Sequence, residues 1–391
     1  MIEAHSAVSM KKDAFEAGRE AMEHSMKKMS RRPDVIWAFG ASSFDQAKLL
    51  EGIRTVAGDI PLVGCTTDGE ISTSGLSTDS VVVLSLASDH IQFRTVAVES
   101  LSKNSLSAGV DLGDKLQDTG CKYLQIFSDG IKGNATQIIE GIKQVLGNDV
   151  KIAGGTAGDG GEFVCTYQYF NDRLLTDSIV AVAFIGDFHL GTGGESGWIP
   201  FGVAKQVTKS IGNVVYELDG QPALQVYEKF LGKYASCLPG VGVEYPLALL
   251  GIYHDAVGTN EFICRATMGV DREKGSITFA GDVPERSMVK MTMGNEEDII
   301  LAGEDATRMA LDNLTQDLPT ILPKVVFIYS CMARKIVLGS RTNEEIDKIR
   351  NSVGENIPII GFYCYGEYAP IGRTGVSSFY NETITLTIIG E

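Results

Sequence analysis

Ile60-Pro61-Leu62-Val63-Gly64-Cys65-Thr66-Thr67-Asp68-Gly69-Glu70 returns near the C-terminus as Ile357-Pro358-Ile359-Ile360-Gly361-Phe362-Tyr363-Cys364-Tyr365-Gly366-Glu367. In both, proline, two aliphatics and glycine are followed by a four-residue gap and then Gly-Glu. A recurrence in the same register marks a chain built from repeated units. Each copy also sets a glycine-flanked loop, ending in a carboxylate, directly after an apolar run. Loops after strands in α/β layers are where ligands usually sit.

The surroundings repeat as well. Val35 to Phe39 and Val325 to Tyr329 are short apolar runs followed by polar residues, Ser42-Ser43 and Ser330-Cys331. Phe44 to Val56 and Asn343 to Val353 then read as helices. Ser80 to Leu86 and Glu382 to Ile389 are β-branched runs that read as strands. Before each unit, Lys11 to Met29 and Glu296 to Leu314 place apolar residues on one helical face. A looser third copy lies between them. Its helices are Leu106 to Leu116 and Gln137 to Leu146, its strands Tyr123 to Phe127 and Ser178 to Phe184. Val150 to Gly154 stands in the motif position. Its carboxylate, Glu162, falls two positions later than the pattern asks. Each unit therefore reads α-β-α-β-loop-β, and the fold class is α/β, with mixed sheets flanked by helices.

At 391 residues, the usual domain size of about 100–200 residues gives two or three domains. The expected division is an N-terminal helix over 1–32, a first domain over 33–210 holding two units, and a second over 211–391. The second begins with a strand-rich portion, Ala248 to Tyr253, Phe262 to Arg265 and Met288 to Thr292, and ends with the last unit. Ser276 to Phe279 is expected to form a hairpin with the Met288 strand. The net charge of −16 disfavours nucleic acid and anionic lipid as partners. No run approaches the ~18 apolar residues of a spanning helix, and the polar Met1 to Met29 lacks a signal-peptide core. The seven cysteines are scattered, with no Cys-x-x-Cys pair. Free thiols in a reducing cytoplasm are the expectation.

Familiar motifs fail on their own chemistry. Gly64-x4-Gly69 is followed by Glu70 where a phosphate loop needs lysine. The stretch Gly191 to Gly197 has the wrong last spacing for a dinucleotide fingerprint and leads into Trp198-Ile199-Pro200, so it reads as a glycine-rich connector. His5, His24, His90, His189 and His254 stand singly, so no metal and no cofactor are expected.

The residues left with ligand chemistry lie at strand ends. Arg334, just past the Val325 run, has the fork geometry that grips a carboxylate. Glu367, on the loop after the next strand, could meet an ammonium group, and together the two would read a zwitterion. Gly361, Tyr365 and Gly366 on the same loop, with Cys331, Asn381 and Arg265, complete the expected site. Asp68 and Glu70 form an analogous acidic pair in the first unit. Two rivals stand beside this reading. One is an enzyme using Cys331 as nucleophile beside Arg334 and Glu367, and the other is an interaction scaffold without a ligand.

At these residues the chain resembles the FIST proteins, with both N-terminal and C-terminal FIST domains, from about Pro33 to Glu391. The resemblance rests first on Gly64 to Glu70, Gly154 to Asp159 and Gly197 to Gly202. It continues through Val207-Thr208-Lys209, Tyr216 to Ala223, Ser330 to Arg334, Gly361 to Glu367 and Phe379 to Thr383. It implies an intracellular sensory module for small ligands, amino acids being the favoured class, usually joined to an output domain. No output domain, coiled coil or membrane segment is visible in this sequence, so a separate signalling partner is expected.

Overall fold

The three copies of the repeat fold as three sheets around one shared core. In a computed structural model, the structure describes residues 1–251, 262–316, 318–371 and 375–391. The first unit runs β1 (Ile2–Ser9), α1 (Ala14–Lys27), β2 (Val35–Ala41), α2 (Gln46–Ala57), β3 (Leu62–Thr67), β4 (Glu70–Ser72), β5 (Gly75–Ser77) and β6 (Val81–Ser88). The second runs β7 (Ile91–Glu99), α3 (Ser105–Leu116), β8 (Cys121–Ser128), α4 (Ala135–Leu146), β9 (Lys151–Thr156), β10 (Gln168–Phe170), β11 (Arg173–Leu175) and β12 (Ser178–Gly186). The third opens with β13 (His189–Glu195) and is then interrupted by an insertion. The insertion comprises β14 (Trp198–Ile211), β15 (Val214–Leu218), β16 (Gln221–Pro222), α5 (Ala223–Leu231), β17 (Leu247–Leu250), β18 (Phe262–Arg265), β19 (Thr267–Asp271), β20 (Ser276–Phe279) and β21 (Met288–Gly294). The unit resumes with α6 (Glu296–Thr315), β22 (Pro323–Cys331), α7 (Met332–Leu338), α8 (Thr342–Val353), β23 (Ile359–Cys364), β24 (Glu367–Pro370), β25 (Ser377–Tyr380) and β26 (Ile384–Gly390).

Most helices start where a short polar side chain can cap them. Asp13, Asp45, Asn104, Asn134 and Asn295 each accept the backbone N–H three residues on, at 2.9–3.2 Å, contacts worth about 1 kcal/mol apiece.

The repeat's glycine has a packing reason. In the parallel pairs, Gly64 lies opposite Ala38, Gly154 opposite Ile126 and Gly361 opposite Ile328. A Cβ at any of the three would fall on that partner's carbonyl oxygen, so only glycine lets the strands close. Gly361→Ala is expected to cost about 1–3 kcal/mol by overpacking. An unchanged urea midpoint would show that the sheet absorbs the methyl.

The expected loop beyond the glycine is a hairpin instead, and it is handed to the next sheet. β4–β5 joins the third unit beside β23, β10–β11 joins the first beside β3, and β24–β25 joins the second beside β9. The register is the same each time. Glu70 pairs with Phe362, Gln168 with Cys65 and Glu367 with Gly155, always the residue after the motif glycine of the receiving strand. The three sheets thus close a ring. Their inner faces meet in a core that includes Trp37, Phe39, Phe127, Phe184, Phe327 and Phe362. Phe39 lies 4.5 Å from Phe362 and 5.2 Å from Phe127 between ring centroids, so all three units touch. Helices cover the outer faces.

Several sequence expectations change. The segment 1–32 is not only a helix: β1 precedes it and pairs with β6 along its whole length. The glycine-rich stretch from Gly191 is no connector but strand β13, paired to β26. Side chains at Gly191 and Gly193 would strike the α6 backbone at Ala310 and Ala306, so the glycines let helix and strand touch. The division at 210/211 falls at the end of β14, a strand that begins at Trp198, while the third unit has already opened at His189. β20 pairs with β15 and β19, whereas β21 pairs with β14 and β17, so the expected β20–β21 hairpin does not form. Glu162 is exposed on the surface, and its supposed place in the repeat belongs to Gln168. Ile252 and Tyr253 of the expected Ala248 strand, and His254, lie outside the described residues.

Candidate functional site

The parallel strand pairs of the first and third units and the β9 end of the second bring Asp68, Asp159, Tyr365 and Lys335 together. The second unit differs from its siblings here. Thr156 and Gln168 are separated by a long loop, where the equivalent joints are two residues, Asp68-Gly69 and Tyr365-Gly366. Asp159 organises that loop by accepting the backbone N–H groups of Phe163 (2.9 Å), Val164 (2.7 Å) and Cys165 (3.0 Å) together with the Tyr365 hydroxyl. Burial would raise the Asp159 carboxyl, but these donors, Tyr365 foremost, outweigh it and hold it below its usual range. Phe163 is thereby set with its ring stacked on Tyr365 at 4.4 Å and 17°.

Asp68 sits at the centre. Its Oδ1 accepts Gly160 N–H at 2.7 Å, while Oδ2 is buried with no hydrogen-bond partner among the described residues. Burial pushes its carboxyl up to about 7, against the pull of the Gly160 N–H and the Lys335 ammonium. Lys335, from α7, donates to the Asp68 carbonyl oxygen rather than to a carboxylate. Two clefts share the wall made by Asp68, Gly160 and Lys335. One, of about 430 Å³, is polar and includes Ser42, Ser43, Thr67 and Asp79. The other, of about 1000 Å³, opens between the ring and the insertion and is lined largely by apolar side chains.

The residues expected from the sequence separate into two groups. Asp68 and Tyr365 line the larger cleft, and Cys331 borders it while 3% exposed. Glu70 borders the smaller cleft, but its carboxylate turns inward to Thr67 and Ser80 Oγ (2.6 Å), and burial pushes it up to about 7. Glu367 is fully buried, bonded to Thr383 Oγ1 (2.6 Å) and Cys364 Sγ (3.3 Å), and pushed up to about 8 by burial. Arg334 is also fully buried. Its guanidinium donates to Glu345 (2.9 and 2.5 Å), Ile299 O (2.8 Å), Glu382 O (3.2 Å) and Ser196 O. The expected Arg334–Glu367 grip on a zwitterion is therefore replaced by an internal tie, because every guanidinium nitrogen already donates within the protein.

Arg265 and Asn381 are buried as well. Arg265 bonds Asp282 O and Phe379 O, each at 3.1 Å, and Asn381 bonds Tyr365 O at 3.4 Å. Gly361 and Gly366 serve packing, since side chains there would strike Ile328 O and the Phe379 ring. Sequence reading missed Lys335, Asp159 and Phe163. Lys335 is the residue after Arg334, and the helical start of α7, which turns position 334 inward and 335 to the cleft, was the signal available.

The FIST N domain model matches residues 34–221 and the FIST C domain model residues 223–370. An uncharacterized protein of Methanocaldococcus jannaschii is 24% identical over 85% of this chain, which spans 66% of that protein's length, just under two thirds. Among solved structures, cyanuric acid hydrolase from A. caulinodans aligns over 99% of both chains with 8% identity and a TM-score of 0.38. Phosphoribosylformylglycinamidine synthase II from Thermotoga maritima aligns over all of this chain and 72% of its own, with 9% identity and a TM-score of 0.21. Likeness at these scores assigns nothing to this chain. No helix among the described residues is long and apolar enough to cross a membrane.

Proposed function

The chain belongs to the FIST family, whose domains are associated with sensory signal transduction, and from that premise we propose that it binds a small zwitterion, an amino acid by preference, at the Asp68–Lys335 wall. The observation that carries this reading is the buried carboxylate of Asp68, its Oδ2 without a hydrogen-bond partner among the described residues, in a wall that it shares with Lys335 and that lines both clefts. An ammonium group would satisfy the orphaned acceptor, and a carboxylate would meet Lys335. Binding in the cytoplasm would be read by a separate output protein, with the loop 157–167 as the part of the wall able to report occupancy. Differential affinity for two arrangements of that loop is what such signalling requires.

A thermal-shift screen of the full chain against amino acids, small carboxylates and nucleotides tests the reading, since a ligand specific to the folded state raises the melting temperature by mass action. Lys335→Met and Asp68→Asn are each expected to weaken amino-acid binding at least tenfold. Because the carboxyl of Asp68 titrates at about 7, affinity for an ammonium-bearing ligand should climb between pH 6 and pH 8 and flatten above. Asp68→Asn should abolish that climb. A pH-independent affinity in the unmodified chain would remove Asp68 from the site.

The role proposed is binding rather than catalysis. Burial raises the Cys331 thiol well above its ordinary value, and Glu367 and Glu382 raise it further. Cys331 should accordingly alkylate more slowly at pH 8 than the exposed Cys237. Faster alkylation at Cys331 would revive the nucleophile reading.

A further inference from the structure

Resting on that reading of the site, we propose that the preferred ligand is an amino acid with an uncharged, apolar side chain, whose tail occupies the larger cleft. The charge pattern of the cleft carries the inference. Among the described residues lining its roughly 1000 Å³, Asp68 and Lys335 alone bear formal charge, and both belong to the wall shared with the polar cleft. Away from that wall the lining includes Phe163, Val243, Met268, Met332, Ile336 and Tyr365. A zwitterionic head held at Asp68 and Lys335 therefore directs its side chain into apolar surroundings. A glutamate or lysine side chain would lose its hydration there with no partner.

The volume far exceeds what a glycine needs, so the head group alone leaves the cleft to water. Phe163, Met268 and Ile336 are 43%, 40% and 54% exposed. Covering such surface is the driving force for an apolar tail. Two of the lining residues are methionines, whose unbranched side chains adapt to different shapes. The stacked Phe163–Tyr365 pair offers a flat ring to an aromatic side chain. Leucine, methionine and phenylalanine are thus the expected class.

Calorimetric titration of the full chain at pH 8 with glycine, leucine, phenylalanine, glutamate and 3-phenylpropanoate tests this. Phenylalanine and leucine should bind at least tenfold more tightly than glycine, and glutamate no better than glycine. Ile336→Asp, at a position 54% exposed, should weaken leucine at least tenfold more than it weakens glycine. Equal affinity for glycine and phenylalanine, or indifference to Ile336→Asp, overturns the apolar preference while leaving zwitterion binding intact. If 3-phenylpropanoate, which lacks the ammonium, binds as well as phenylalanine, the Asp68 reading fails and the apolar cleft stands. Binding by none of the five overturns both.

Discussion

Arg334→Ala is expected to lower the unfolding free energy by about 3–5 kcal/mol, the cost of leaving a buried charge without its partner. Glu345 is fully buried, and among the described residues its carboxylate would keep only Tyr363 Oη at 3.0 Å and a long contact to Ser330. The loss would also be distributed. Arg334 bonds the β13–β14 joint at Ser196, helix α6 at Ile299 and the β25–β26 joint at Glu382, and its guanidinium lies 5.8 Å from the Trp198 ring. One side chain thus fastens the insertion to the third unit. The check is urea unfolding of Arg334→Ala beside the double variant Arg334→Met/Glu345→Met. Removing both charges should recover much of the loss, because no orphan remains. A single variant as stable as the parent would mean that water reaches Glu345. A variant of normal stability that has lost amino-acid binding would return Arg334 to the ligand site.

Glu367→Gln should make the protein more stable at alkaline pH and change it little under acid conditions. Burial raises the Glu367 carboxyl from 4.5 to about 8 in the folded chain. A group whose folded value lies above its unfolded one adds stability that is complete below the unfolded value and is lost as pH rises through the folded one. The window is therefore about pH 4.5 to 8. At about 1.4 kcal/mol for each pH unit of that window, the loss is on the order of 5 kcal/mol. Gln168, in the same register position of the second unit, shows that the ring accepts the amide, with Ser178 Oγ donating to its Oε1 at 2.7 Å. Its Nε2 finds no partner among the described residues, so a modest cost at pH 5 is expected. Melting temperature against pH for parent and variant should diverge above pH 6. Parallel curves would mean that Glu367 is ionised in the folded state.

The sequence made the repeat legible because glycine at a strand–strand approach admits no substitute, and that constraint leaves the same letter in the same register. It also exposed the helices of the repeat, through their 3.6-residue periodicity. The hairpins escaped notice because strands of three or four residues carry too few side chains for alternation to show. The missing third carboxylate had a physical reason too. Gln168 performs the hydrogen bonding of Glu70 and Glu367 without their charge, so a search for acids alone passed over it. Arg334 misled because its chemistry suits a ligand carboxylate and a buried glutamate equally well. The decision between them lay with α7, which turns it inward and presents Lys335 instead.

The exchange of hairpins around the ring bears on how the chain is made. A ribosome delivers the first unit before the second and the third, yet β4–β5 has no sheet to join until β23 exists, and β9 has no neighbour on one side until β24 exists. The nascent chain must therefore hold two unpaired strand edges for most of its synthesis, the condition under which edges recruit foreign strands. Closure of the ring therefore falls to the last unit, which brings β23 to β4 and β24 to β9. Early release from the ribosome, or a stall within the insertion, would leave two open sheets exposing the aromatic residues that the finished ring encloses.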